Sequence, residues 1–131
     1  MPIKIIRKDI KKNRNILFIF GDNDERTGFG GMAKEFRDEP NSLGIRTKKK
    51  PSTDSESYYT DEEYDENCKK INEDIEAILK EARSYAGVWI TRQTGQGLAN
   101  MPAKCPKTYE YLSNEIERLL NILKKRAIKD Y

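Results

Sequence analysis

The sequence predicts an α/β fold, a three-layer α/β/α sandwich around a mixed, mainly parallel sheet. Three observations predict it. Ile16-Leu17-Phe18-Ile19-Phe20 is an apolar run too short for a globular helix and rich in β-favouring types, so it reads as a strand buried on both faces. Cys68, Ile71, Ile75, Ile78, Leu79 and Ala82 recur at helical spacing and give one apolar face. The order strand, strand, helix, strand, helix, strand, helix then fits a sheet whose strands are joined by helical crossovers.

Taken in order, Ile3 to Ile6 reads as a short strand and Lys8 to Asn15 as a polar connection. The central strand ends abruptly at Gly21-Asp22-Asn23-Asp24. A glycine cluster follows, Gly28-Phe29-Gly30-Gly31, with a helix starting at Met32-Ala33. Met32, Ala33 and Phe36 have helical spacing, and Pro40-Asn41 stops that helix. Leu43 to Thr47 reads as a third strand. Residues 48–60 carry almost no aliphatic side chain and form a long polar loop, a type found as lids, binding loops or disordered segments. Thr60-Asp61-Glu62-Glu63 fits a capping box opening the periodic helix, which runs to about Tyr85. Gly87 to Thr91 is the last strand. It leads into a second glycine turn, Gln93-Thr94-Gly95-Gln96-Gly97-Leu98, and then into an irregular stretch with Pro102, Cys105 and Pro106. A final helix begins near Pro106-Lys107 and carries Tyr109, Leu112, Ile116, Leu119, Leu120 and Leu123. Lys124, Lys125 and Arg126 suit the negative end of its dipole.

Composition bounds the function. The chain has 131 residues, the size of a single domain, read here as one domain over residues 1–131. Acids and bases are interspersed and the net charge is only +3, which argues against a dedicated polyanion surface. No run reaches transmembrane length and Met1-Pro2-Ile3-Lys4 shows no signal peptide, so a cytoplasmic protein without a membrane partner is expected. Cys68 and Cys105 cannot make a disulfide framework and read as reduced thiols. The absence of histidine removes imidazole triads and His metal sites, and neither a metal nor a cofactor is expected.

The chemistry concentrates at the two glycine turns. A buried strand, a polar turn, glycines and a helix start form a phosphate cradle, because glycines admit the anion to the backbone and N–H groups point at it. Ligands of open α/β sheets bind beyond the carboxyl ends of strands. Parallel, adjacent strands would therefore let Gly28–Gly31 and Thr94–Gly97 grip a diphosphate from both sides. Gly28-x-Gly30-x-x-Ala33 matches the dinucleotide fingerprint formally. However, seven residues separate Phe20 from Gly28, and the acids about twenty residues on, Asp54 and Glu56, fall in a loop. Asp22 and Asn23 stand nearest the strand end, where a carboxylate could orient a water or accept from a ribose hydroxyl and an amide could hold either. Asp24 and Glu25 read as turn caps. Trp89 reads as core. Tyr58 and Tyr59 suit either stacking on a base or packing on their own domain.

These residues resemble a reduced macrodomain, the ADP-ribose-binding α/β/α module. Phe20-Gly21-Asp22-Asn23 with Gly28-Phe29-Gly30-Gly31-Met32-Ala33 is similar to that family's asparagine-bearing turn and first glycine loop. Ile90 to Leu98 with Pro102 is similar to the loop that closes over the diphosphate. The resemblance implies that Asn23 faces the distal ribose. It also implies that Gly30, Gly31, Gly95, Gln96 and Gly97 supply backbone N–H groups to the phosphates; Gly21, Gly28, Met32, Thr94 and Leu98, in the same two loops, complete the candidate ligand-binding residues. The chain departs from the family in its shorter length, in Asp22 where many members have a small residue, and in the extended turn Asp24 to Thr27. Two readings of this site stand side by side: a reader or sequestering protein for an ADP-ribose-like nucleotide, and a metal-independent hydrolase of ADP-ribosyl bonds with Asp22 and Asn23 as catalytic residues. The alternative is a nucleic-acid-binding protein using Lys48-Lys49-Lys50 and the basic C-terminal helix.

Overall fold

The computed structural model describes residues 5–30, 33–90 and 101–129. Its elements are α1 (Arg7–Lys12), β1 (Ile16–Asn23), α2 (Ala33–Phe36), β2 (Ser42–Lys48), α3 (Tyr64–Glu81), β3 (Gly87–Trp89), α4 (Met101–Lys104) and α5 (Pro106–Lys129). The strands form one sheet in the order β2-β1-β3, and both pairings are parallel. The protein is therefore an α/β fold with a small parallel sheet, and no antiparallel strand joins that sheet among the described residues.

The alternation along β1 decides the packing. Leu17 and Ile19 point to one face, where they join Ile45, Tyr59, Ile71, Ile75, Ile78, Leu112, Ile116 and Leu119. Phe18 and Phe20 point to the other, with Ile5, Ile10, Ala33 and Phe36 around them and Trp89 packed alongside. The α3 helix presents Ile71, Ile75 and Ile78 fully buried to the first cluster, each contributing about 1.5–3 kcal/mol relative to exposure. On the second face Trp89 lies 6.1 Å from Phe18 and 5.8 Å from Phe36, ring centroid to centroid. It is a partly exposed core residue, as its place in the strand suggests.

Several local expectations are corrected. Ile5 and Ile6 are not strand, and the polar connection contains α1. That helix is stabilised locally by Asp9, whose carboxylate accepts from the Ile6 N–H at 3.0 Å, and is anchored by the fully buried Ile10. The α2 helix is a single turn. It stops at Asp38, whose φ of 72° is left-handed, before Pro40 is reached. Thr60 makes no side-chain cap bond. Instead the neighbouring Asp61 caps a different helix, accepting from the α5 N–H groups of Lys107 at 2.9 Å and Thr108 at 3.0 Å. The stretch around Pro102 is helical, as α4, because a proline in a first turn has no N–H to lose.

The long polar loop is closed at its base. Lys48 and Tyr58 form an isolated antiparallel bridge, Lys49 N–H donates to the Ser57 carbonyl at 2.7 Å, and Tyr59 is fully buried. No described helix is long and apolar enough to cross a membrane.

Candidate functional site

The site is built at the carboxyl ends of β1 and β2. Asp22 pairs with Arg46 and Asn23 with Lys48, so Thr47 is an extra residue that breaks the register there. Its hydroxyl donates to the Asp22 carbonyl at 3.2 Å. Beyond this break lies a cleft of about 220 Å³ between the turn after β1 and the long loop. Gly21, Asp22, Asn23, Gly28 and Gly30 line one side, and Lys48, Pro51 and Tyr58 line the other. The volume is below the roughly 300–1,000 Å³ of drug-sized pockets.

Asn23 shapes the turn. Its amide donates to the Thr27 carbonyl at 2.8 Å and accepts from the Glu25 N–H at 3.0 Å. This wraps the chain tightly enough to put Arg26 at φ 56°. Gly28 follows at φ 90°, where a Cβ would stand 2.7 Å from the Cβ of Pro51. Glycine is thus required at 28 by both backbone and space. Gly30 differs, since a Cβ there would meet no atom of the described residues within 4 Å.

Asp22 is a structural hub. Its carboxylate accepts from Arg37 Nη2 at 2.5 Å and from the Asn23 N–H at 2.8 Å, with Arg26 Nη1 at 3.4 Å. It is buried, and Gly44 leaves room for it: a Cβ on Gly44 would come within 2.8 Å of Asp22 Oδ2. Arg37, also buried, donates through Nε to the Gly28 carbonyl at 2.6 Å and through Nη2 to the Thr27 carbonyl at 3.1 Å. One guanidinium, its charge matched by Asp22, therefore ties the glycine loop to the end of the sheet. Arg26 reaches on to Asp74 at 2.7 Å, and Asp74 also holds Arg46. Burial acts to lower the Arg46 pKa, but its bonds to Asp74 and Glu73 outweigh that and raise it. Asp24 takes Lys70 at 2.7 Å and the Tyr59 hydroxyl at 2.5 Å. Burial and that carboxylate push the Tyr59 phenol up, which keeps it a neutral donor.

Across the cleft, Lys48 donates to the Ser52 carbonyl at 3.0 Å and lies over the Tyr58 ring. Burial lowers its pKa. Of the residues singled out from sequence, the structure gathers Gly21, Asp22, Asn23, Gly28 and Gly30 at this cleft. Gly31, Met32, Thr94, Gly95, Gln96, Gly97 and Leu98 lie outside the described residues. Tyr59 is core and cannot stack on a base, whereas Tyr58 lines the cleft. The lysine run is not one solvated patch, because Lys48 faces the cleft and Lys49 pairs with Glu63 at 2.5 Å. Both cysteines are free thiols, and burial raises Cys105 to about 11. Sequence reasoning missed Arg37, Arg26 and Lys48 as site residues. Arg37 looks like the polar face of a short helix, and no spacing rule links it to a carboxylate fifteen residues earlier.

The model of DUF7831, a family of unknown function, matches residues 2–115. The chain belongs to this family. No curated protein and no solved structure matches it. The stretch matched to DUF7831 contains all three strands, the Asp22–Arg37 hub, both walls of the cleft and the first part of α5. The site described above thus lies wholly within the family's shared region.

Proposed function

We propose that the cleft binds a small phosphate-bearing ligand, of the ADP-ribose-like diphosphate nucleotide class, and that the protein holds this ligand rather than cleaving it. The observation that carries the reading is the glycine loop at the carboxyl end of the central parallel strand. It is held from behind by the Arg37 guanidinium, has open space before Gly30, and faces an ammonium on the opposite wall. That is where a parallel α/β sheet receives ligands, and the Lys48 ammonium at the cleft has no described carboxylate partner. The parallel β1–β3 pairing is what a grip from two strand-end loops requires, since it sets β3 beside β1. On the same reading, the helices on the two faces of the sheet form a reduced three-layer, macrodomain-like sandwich.

Holding is favoured over hydrolysis by the bonding of the two candidate catalytic groups. A general base must reach the proton it takes. The Asp22 carboxylate is engaged by two guanidiniums and a backbone N–H, and both ends of the Asn23 amide are committed to the turn.

Thermal denaturation with ADP-ribose, NAD, ATP and cyclic dinucleotides tests the reading. A ligand at one hundred times its Kd contributes about 2.7 kcal/mol, a rise of several degrees in a domain of this size. ADP-ribose is expected to give it, with no ribosyl product released from ADP-ribosylated protein. If none of these nucleotides raises the Tm, the reading fails.

A further inference from the structure

Two lysines from distant parts of the chain share the ring of Tyr58, and Tyr58 and Lys48 line the cleft. Lys48 Nζ, at the end of β2, stands 5.2 Å from the Tyr58 ring centroid, and Lys104 Nζ, at the end of α4, stands 5.7 Å from it. Neighbouring cations are matched with acids: Arg37 with Asp22, Arg26 with Asp74, Lys70 with Asp24 and Lys49 with Glu63. Lys48 and Lys104 have no carboxylate partner among the described residues. The ring face attracts each ammonium. Against this, burial disfavours the charged form of Lys48, and neither ammonium is neutralised by a described carboxylate. A dianionic group at this wall relieves both penalties. Gly28 and Gly30 line the same cleft as Lys48 and Tyr58.

We propose that Lys48 and Lys104, gathered on Tyr58, form a cation clamp for the second phosphate of a pyrophosphate-bearing ligand whose first phosphate lies against Gly28–Gly30. The clamp deepens the phosphate-binding reading above and rests on it. It makes the site selective for two adjacent phosphates over one, and it adds Lys104, forty-six positions after Tyr58, to the binding residues.

Isothermal titration calorimetry at constant ionic strength tests the clamp, with inorganic pyrophosphate and inorganic phosphate as probes. Lys104 is exposed, so Lys104→Gln and Lys104→Arg are expected to fold as the parent does, checked by circular dichroism. Lys104→Gln is expected to weaken pyrophosphate at least tenfold and phosphate less than threefold, while Lys104→Arg stays close to the parent. A pyrophosphate loss below tenfold, or an equal loss for both anions, overturns the clamp. Gly30→Glu with ADP-ribose separates the two claims. If Gly30→Glu abolishes ADP-ribose binding while Lys104→Gln leaves pyrophosphate unchanged, the clamp alone falls. If the parent protein binds neither pyrophosphate nor ADP-ribose, the phosphate-binding reading falls and the clamp falls with it.

Discussion

Removing the Asp22 carboxylate is expected to unfasten the site rather than disable a catalyst. In Asp22→Ala the Arg37 side chain, only 10% exposed, loses a 2.5 Å ion pair and keeps two carbonyl acceptors and the face of Phe20. Breaking a buried pair from one side typically costs about 3–5 kcal/mol. The remaining acceptors place this case at the lower end, about 3 kcal/mol. For a chain of 131 residues that is a fall in Tm of roughly 10 °C. Urea denaturation and calorimetry measure it directly. Asp22→Ala/Arg37→Met removes the stranded charge as well, so its loss is expected to be at least about 1 kcal/mol smaller than the sum of the two single losses. A loss below about 1 kcal/mol in Asp22→Ala, or strict additivity in the double variant, would refute the hub. The same result warns that lost activity in Asp22→Ala is not evidence of catalysis unless folding is measured beside it.

Two other perturbations follow from the geometry. Gly28→Ala places a β-carbon at φ 90° and against Pro51, so it is expected to destabilise by about 1–3 kcal/mol in denaturant titration, whereas Gly30→Ala changes stability by less than about 0.5 kcal/mol. Asp61→Ala removes a remote cap from α5 and is expected to cost about 0.5–2 kcal/mol at neutral pH. Burial acts to raise the Asp61 pKa, but the bonds from Lys107 and Thr108 outweigh it, so the folded value lies below the ordinary 3.8. Its contribution is therefore present above that ordinary value and lost as pH falls through the folded one. The difference between the parent and Asp61→Ala should shrink in the acid limb of a stability–pH curve.

The parts of the fold legible in the sequence were those with a long one-dimensional signal. The apolar run Ile16–Phe20 is β1, the 3.6-residue pattern from Cys68 is α3, and the leucine-rich pattern after Pro106 is α5. What could not be read depends on distant partners. The α1 helix has one buried apolar residue, Ile10, and is secured from outside by Asn41, whose amide nitrogen lies 3.0 Å from the carbonyls of Ile10, Asn13 and Ile16. From the sequence Asn41 is only a helix breaker. Thr60 and Glu63 have capping-box spacing, but the carboxylate that caps a helix is Asp61, and the helix is forty-five residues on. Tyr59 sits in a polar loop and looks exposed, yet Asp24 gives its hydroxyl a partner and lets the ring enter the core. At the site, glycine spacing and the end of a strong strand marked the cleft. The ion pairs that decide what Asp22 and Arg37 do are tertiary and leave no periodic trace.

The most direct test of the central claim is the affinity of Gly30→Glu for ADP-ribose, measured by calorimetry beside the parent and a matched charge reversal on exposed Lys80 of α3, Lys80→Glu. No atom of the described residues lies within 4 Å of a β-carbon at 30, so Gly30→Glu is expected to fold as the parent does while setting a carboxylate in the cleft. Lost charge-assisted contacts and new repulsion predict at least a hundredfold weaker binding, on the order of 3 kcal/mol, with Lys80→Glu unchanged. A folded Gly30→Glu that binds ADP-ribose as tightly as the parent would contradict the account, because the glycine loop would then not be where the phosphate sits.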